Sequence, residues 1–201
     1  MLVKEKFCRS TLNNKLFLLK IFFIYFLATD ISSADLQKKL INKLTGIKTL
    51  SFDFEQKIAD IKEIGNCVIK YPLLMKCNYQ NKKQKTIISN GKKVAIIKKK
   101  YKKIYAYPIQ VTTFFFILKK ENIINLIRKS KTIEINGNLI EVKFINKKKN
   151  IKIFFDSDSL NLKGWKTKDW YSNDVSFLIK NLEINKHIPD DFFYIPTEED
   201  L

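Results

Sequence analysis

Residues 51–58 read Ser-Phe-Asp-Phe-Glu-Gln-Lys-Ile, and their pattern is the starting point for predicting the fold. Its apolar side chains, Phe52 and Phe54 first among them, alternate with the charged Asp53 and Glu55. Successive side chains of a β-strand point to opposite faces, so a period of two separates an apolar face from a charged one. The stretch therefore predicts a half-buried strand in an antiparallel sheet.

Further strand-like segments follow this strand at short intervals. Turn signals separate them, among them Tyr71-Pro72 and Asn90-Gly91, and Asn136-Gly137 is the strongest short hairpin signal in the chain. Because the strands do not alternate one by one with helices, the pattern predicts an up-and-down antiparallel sheet of about ten or eleven strands. The predicted strands after the first cover residues 63–71, 74–81, 85–90, 93–99, 101–107, 131–135, 138–145, 151–155, 160–167 and 174–183.

Two helical segments interrupt the strand pattern. Asp35 is the predicted N-cap of a first helix that extends to about Leu44. A second segment covers 113–129, with Thr113 as its predicted cap, and we expect its two apolar stretches, 114–118 and 123–127, to be apolar nearly all round. Such a segment needs cover on more than one side, which the concave side of a curved sheet supplies.

The predicted fold is mainly β with helices. It is an incomplete, half-open antiparallel β-barrel of about 10–11 strands, covered by an N-terminal helix and a helical lid. The concave side of such a sheet either encloses an apolar cavity or holds an ordinary filled core. The apolar pattern alone does not choose between the two.

The composition narrows the classes of function. The five glycines are scattered, whereas phosphate-binding loops and dinucleotide fingerprints need them clustered. His187 is the single histidine, which leaves no pair for a two-histidine metal site or a charge relay. The net charge is +18, but all but two of the 38 basic residues are lysine, which lacks the guanidinium fork that reads phosphate and guanine. We expect no enzymatic activity, no cofactor, no metal and no nucleic-acid partner.

The N-terminus has the three parts of a secretory signal. Residues 1–20 are basic, an apolar run covers 21–28, and Ser32-Ser33-Ala34 supplies small residues for cleavage. The run is too short to span about 30 Å of hydrocarbon, which argues against the alternative of an uncleaved signal anchor. We predict a signal peptide over residues 1–34, cleavage after Ala34, and export of residues 35–201 as one domain.

Several short motifs then occur in a characteristic order and spacing. They are SFDFEQ (51–56), IKYP (69–72), KCNY (76–79), SNGK (89–92), YPI (107–109), TFFFIL (113–118), GWKTKD (164–169), LEIN (182–185) and DFFYIP (191–196). Together they resemble the periplasmic outer-membrane lipoprotein carriers, the LolA family. The resemblance covers about residues 35–199.

The resemblance implies a periplasmic carrier without catalytic groups. In that family the cavity takes the acyl chains of a lipoprotein released by an inner-membrane ABC-type complex, and an outer-membrane receptor then accepts the cargo. The resemblance therefore implies lipoprotein cargo and these two membrane partners, and we expect a monomer. The family often has arginine before the proline, where it hydrogen-bonds the lid shut, and here Tyr71 stands there. We expect a weaker or different latch, because tyrosine donates one hydrogen bond and arginine five.

The strand faces select the residues of an acyl-chain cavity. Lysines belong on the outer face, so Lys70 and Lys76 place Ile69 and Met75 on the inner face. The predicted cavity residues are Phe52, Phe54, Ile69, Tyr71, Met75 and Tyr79, with Phe115, Phe116, Leu118 and Ile124 from the lid.

The two cysteines of the predicted mature chain lie five residues either side of Pro72, so a hairpin centred on the proline sets Cys67 opposite Cys77. Opposed residues of a non-hydrogen-bonded pair have Cα atoms ~4.5 Å apart, at the short end of disulfide geometry. A disulfide is therefore possible in an oxidising compartment. Two free, buried cysteines are the alternative, and a slip of one residue turns the side chains to opposite faces.

Other functions stay open. A periplasmic binding protein for another lipid or glycolipid has the same cavity and a different cargo. A basic envelope-associated structural protein uses the lysine surface, and its affinity falls with salt. Asp156 and Asp158 are candidates for paired catalytic carboxylates, but Asp-Ser-Asp-Ser between strands is typical of a turn.

Overall fold

The computed structural model describes residues 33–112, 114–130, 133–146, 149–168 and 172–201. All but the last two residues of the predicted signal peptide lie outside the described residues, as does the predicted cap Thr113. Within the described ranges, no helix is both long enough and apolar enough to cross a membrane.

Eleven strands and three α-helices make up the described part of the chain. The helices are α1 (Ser33–Thr45), α2 (Phe114–Leu118) and α3 (Lys120–Lys129). The strands are β1 (Thr49–Ile58), β2 (Ile61–Lys70), β3 (Leu74–Tyr79), β4 (Lys85–Asn90), β5 (Lys93–Lys98), β6 (Lys103–Pro108), β7 (Ile133–Asn136), β8 (Leu139–Asn146), β9 (Lys149–Asp156), β10 (Leu162–Lys168) and β11 (Asp174–Ile184). Their bounds lie within about two residues of the predicted ones, and α1 begins at Ser33, two residues before the predicted cap Asp35.

The strands form one antiparallel sheet in the order β6-β5-β4-β3-β2-β1-β11-β10-β9-β8-β7. Strands that follow one another in the chain are paired, with the lid inserted between β6 and β7, and β1 also pairs with β11. This last pairing sets Phe54 opposite Ile179 and joins the two halves of the sheet in its middle. β6 and β7 are the edges, so the described sheet is open. The predicted half-open antiparallel barrel is confirmed.

Strand β1 shows why the sheet has two unlike faces. Leu50, Phe52 and Phe54 are buried, whereas Asp53 between the two phenylalanines is exposed. All three helices contribute to the apolar cluster on the side of the buried residues, which we call the inner face. The helices α1, α2 and α3 are its inner cover.

The opposite, outer face carries a smaller cover. Its apolar residues are Ile88, Ala95 and Ile97, which pack with Ile104, Ile195 and Leu201. Lys70 on β2 donates to the backbone oxygen of Ile188 (2.7 Å) and to the carboxylate of Asp190 (2.6 Å). The C-terminal segment 188–201, which we call the outer cover, therefore packs on the outer face.

Candidate functional site

The inner face, with its helical cover, is the candidate site. All ten residues predicted for a cavity lie in its single apolar cluster. Phe52, Phe54, Ile69, Met75 and Leu118 are buried, and Tyr71, Tyr79, Phe115, Phe116 and Ile124 are half-buried and pack against them. The structure therefore brings the predicted residues together, and their binding of a ligand stays a prediction.

Strands β2 and β3 have the inner and outer faces that Lys70 and Lys76 predict. Ile69 is buried on the inner face, whereas the side chain of its neighbour Lys70 bonds to the outer cover. The ammonium of Lys76 also lies on the outer side, 4.7 Å from the ring centre of Phe192. Lys70 and Lys76 are thus kept away from the inner cluster.

The hairpin of β2 and β3 carries the centre of the site. It pairs Cys67 with Cys77 and Ile69 with Met75. A disulfide joins the two cysteines, whose Cα atoms are 4.0 Å apart, and both are buried on the inner face. Because a slip of one residue would move every side chain to the other face, the crosslink holds the apolar residues of both strands inward.

A row of stacked aromatic rings crosses the inner face. The rings of Trp165 and Phe177 stack with centres 4.1 Å apart, and Phe177 stacks on Phe54 at 5.0 Å. Phe54 then meets Tyr79 edge to face at 4.9 Å. The row joins β10, β11, β1 and β3, and two of its members were missing from the predicted site. The sequence did not signal them clearly, because Phe177 stands in the continuous apolar run Phe177-Leu178-Ile179, which does not show which face of β11 is buried.

Gly65 makes this row possible. It is paired with Phe54 on one side and with Tyr79 on the other. A Cβ atom at this position would lie 2.8 Å from the Phe54 ring and 2.1 Å from the backbone oxygen of Asn78. Both distances are shorter than a van der Waals contact, so only glycine lets the Phe54 ring lie across β2 and touch Tyr79.

A polar clasp closes one end of the inner cover. Lys120, the first residue of α3, donates to the backbone oxygens of Thr45 (2.9 Å) and Ile47 (2.8 Å), at and just beyond the C-terminal end of α1. The carbonyls at that end of a helix have no partner within the helix, and the negative end of the helix dipole attracts a cation. Lys120 of the lid therefore supplies hydrogen bonds and a positive charge to the backbone carbonyls at the end of α1.

A second clasp closes the other end. Gln37 of α1 donates to the backbone oxygens of Ile127 (2.7 Å) and Arg128 (3.2 Å), at the C-terminal end of α3. Between the clasps the two helices pack through apolar side chains, among them Leu40. A side chain of each helix thus hydrogen-bonds the C-terminal end of the other helix, and the contact between the two clasps is apolar.

Tyr71 stands where the resemblance implies a latch, and its surroundings show how this latch differs. Burial, and secondarily the charge of Glu121, raises the pKa of the Tyr71 phenol well above its ordinary value, so the side chain stays neutral. The positive charge that arginine supplies in the family comes here from Lys120, whose ammonium lies 5.7 Å from the Tyr71 ring centre. Nearby, the backbone N–H of Leu73 donates to the oxygen of Leu118 at 3.1 Å and attaches α2 to the β2–β3 turn.

The phase of α3 differs in detail from the predicted one. Ile123, Leu126 and Ile127 are its buried residues, whereas the predicted Ile124 is half-buried beside them. The expectation of a lid that is apolar nearly all round is wrong for α3, because Glu121, Asn125, Arg128 and Lys129 are exposed and form a polar stripe at helical spacing. This stripe lies opposite Ile123, Leu126 and Ile127, so the sequence already carries the signal for the buried side of α3.

Two other residues considered for chemistry lie away from the inner face. Asp156 accepts hydrogen bonds from the backbone N–H (2.9 Å) and the hydroxyl (2.7 Å) of Ser159 in the β9–β10 turn. These bonds, the backbone one first, lower the pKa of Asp156 to about 2. The Asp156 carboxylate thus stabilises a turn. His187 is exposed.

Comparison with known proteins supplies the assignment. Residues 45–196 match the family model described as outer membrane lipoprotein carrier protein LolA. The chain belongs to the LolA family. The matched residues contain all eleven strands and both lid helices, so the LolA match includes the whole inner face. At the level of the family, this membership supports a lipid- or lipoprotein-binding carrier.

Two solved structures are similar to this chain at very low sequence identity. An uncharacterised conserved protein from Thermus thermophilus has 5% identity and a TM-score of 0.52, with 82% of this chain and 95% of that one covered. A LolA superfamily protein from Nitrosomonas europaea has 6% identity and a TM-score of 0.41, with 79% and 97% covered. The first similarity shows a common fold and says nothing about function. The comparison with curated proteins finds no match.

Proposed function

We propose that this LolA-family protein is a periplasmic carrier that binds the acyl chains of lipoproteins on its inner face and transfers them from the inner to the outer membrane. The observation that carries the proposal is the inner cover, whose contacts with the sheet are largely apolar side-chain contacts. Acyl chains offer the same kind of contact. Such a carrier needs no catalytic group.

The exchange of cover for cargo is close to balanced in free energy. Each buried methylene contributes about 0.8 kcal/mol, so three acyl chains entering an empty cavity would bind too tightly for a carrier. Here the face already packs against Phe115, Phe116 and Leu118, and these contacts are lost as the chains enter. One apolar contact replaces another, and release to a more apolar receptor then needs no ATP at that step.

The lid, formed by α2 and α3, is the part of the inner cover that moves in this proposal. In the chain it lies between β6 and β7, the two edge strands of the sheet, so its displacement breaks no strand pairing. The lid is attached through the Lys120 and Gln37 clasps and the hydrogen bond from Leu73 to Leu118. These bonds can re-form after the cargo has left.

The cellular setting of the proposal has three parts. Export through a signal peptide over residues 1–34 places the carrier in the periplasm. An inner-membrane ABC-type release complex supplies the lipoprotein, and an outer-membrane receptor accepts it. The carrier works as a monomer between them.

Photocrosslinking tests which face holds the cargo. A photoreactive amino acid at position 69 should label a lipoprotein, whereas the same amino acid at position 70 should not, because adjacent residues of β2 face opposite sides. Ile69→Asp should abolish cargo binding while Lys70→Glu retains it, with circular dichroism showing that both variants fold. Labelling from position 70 alone, or from neither position, contradicts the proposal.

Identification of the bound lipid tests the class of cargo. Lipid is extracted from the purified protein and analysed by mass spectrometry. An acylated lipoprotein or its lipopeptide supports the proposed carrier. A phospholipid or glycolipid in its place shows instead a binding protein for another lipid on the same inner face.

A further inference from the structure

Two neighbouring turns of the sheet carry a cluster of lysines. Strand pairing sets Lys85 opposite Lys98 and Lys98 opposite Lys103, so the β3–β4 and β5–β6 turns lie side by side at one end of the sheet. The backbone N–H of Lys99 also donates to the oxygen of Gln84 and links the turns. The exposed lysines of these two turns, which we call the basic tip, are Lys82, Lys83, Lys99, Lys100 and Lys102.

Among the described residues, no carboxylate pairs with any of the five lysines of the basic tip. Two carboxylates contact lysines at this end, but Glu63 is paired with Lys85 (2.6 Å) and Glu198 with Lys103 (3.4 Å). The five positive charges are therefore available to an external anion.

A cleft of about 710 Å³ opens beside these charges. Lys82 and Lys99 of the basic tip line it together with amide side chains, among them Asn78, Asn81 and Gln84. Ammonium and amide N–H groups are the donors that a phosphate oxygen accepts. The shallow cleft thus combines net positive charge with hydrogen-bond donors.

An exposed aromatic ring completes the surface. Tyr101, between Lys100 and Lys102, exposes 53% of its surface. Tyrosine is enriched where a membrane meets water, because its ring is apolar and its hydroxyl is hydrated. The cations are lysines, which act as point charges and suit a diffuse anionic surface better than bidentate recognition of one group.

We propose that the basic tip is a docking surface for membranes that contain anionic phospholipids, with the cleft receiving the headgroup phosphate. The docking surface lies in the turns at one end of the sheet and does not depend on what the inner face carries. It brings the protein to the membrane surface through contacts that salt weakens, since they are exposed charges.

Cosedimentation with vesicles tests the proposal. The purified protein should bind vesicles of phosphatidylglycerol mixed into phosphatidylcholine, and should not bind pure phosphatidylcholine. Each lysine near an anionic surface changes the affinity by roughly five-fold, so the triple variant Lys82→Glu, Lys83→Glu, Lys100→Glu should bind about 100-fold more weakly or worse. Substituting glutamine at the same three positions should have a smaller effect in the same direction.

The matched control changes three exposed lysines at the other end of the sheet. The variant Lys48→Glu, Lys92→Glu, Lys93→Glu has the same net charge and should lose far less of the binding. Equal losses in the two triple variants would show that only net charge matters and overturn the assignment to the basic tip. Equal binding to both kinds of vesicle, or binding to an acidic oligomer without binding to vesicles, would overturn it as well.

Discussion

The inner and outer faces of the sheet are covered in opposite ways. The inner cover packs through one large apolar cluster, and clasps from Lys120 and Gln37 hold its ends. The outer cover adds ion pairs to a small apolar cluster, from Lys70 to Asp190 and from Lys103 to the C-terminal segment. An acyl chain can replace an apolar contact, but it cannot replace a hydrogen bond or an ion pair. If the protein exchanges cover for cargo as proposed, we expect the exchange at the large apolar cluster of the inner cover and not at the outer cover.

The largest expected effect comes from a substitution at Gly65 on the inner face. Gly65→Ala places a Cβ atom against the Asn78 backbone oxygen and the Phe54 ring, so we expect a loss of about 3 kcal/mol or more in the free energy of unfolding. Urea denaturation measures it. Gly46→Ala is the matched control, because the nearest atom to its Cβ is 3.6 Å away. If the two variants are equally stable, the aromatic row does not require glycine at 65.

Removal of the disulfide should be the next largest effect. Replacing Cys67 and Cys77 together by alanine frees a short loop, and we expect a loss of about 2–3 kcal/mol. Val68→Ala, on the outer side of the same hairpin, should cost less. Thiol titration of the unfolded, unreduced mature protein should find neither cysteine free, and two free thiols would contradict the crosslink.

The clasp at Lys120 should have a moderate effect. Lys120→Met keeps the stem of the side chain and removes its donors to Thr45 and Ile47, so we expect a loss of about 1–2 kcal/mol and faster hydrogen exchange in α3. Lys119→Met is the control, since Lys119 is the exposed neighbour. Equal behaviour of the two variants would mean that the apolar contacts alone hold the lid.

The smallest effect concerns the outer cover at low pH. The backbone N–H of Ile104, and next Lys103, lower the pKa of the Glu198 carboxyl below its ordinary value. A lowered pKa in the folded state means that this contribution to stability is present above the unfolded-state pKa and is lost as the pH falls through the folded-state pKa. The amide shift of Ile104 in ¹H–¹⁵N spectra should follow this titration, and Glu198→Gln should abolish it. A titration at the ordinary glutamate pKa would contradict the contact.

Much of the sheet could be predicted because its signals are local. Alternation of Phe52 and Phe54 with charged residues sets the faces of β1, and lysines at 70 and 76 set those of β2 and β3. A hairpin centred on Pro72 predicts that Cys67 lies opposite Cys77, which is the register that the structure shows. Each of these inferences needs only residues that are close in the chain.

The missing parts of the site depend on partners that are distant in the chain. The sequence singled out Tyr79 and Phe54 without showing that Gly65 lets them touch, or that Phe177 and Trp165 extend the row. Those contacts depend on β1 pairing with β11. No local pattern specifies this pairing, because many strands present a similar apolar face.

Local sequence patterns predict the succession of strands, their inner and outer faces, and the approximate positions of the helices. Side-chain period and turn residues act over a few residues, so the sequence shows them without the fold. Three features depend instead on the tertiary structure: Lys120 closes the lid on α1, residues 188–201 cover the outer face, and five exposed lysines gather at one end of the sheet. These features depend on contacts between segments that are distant in the chain, so they form only after the sheet has brought its turns and covers together.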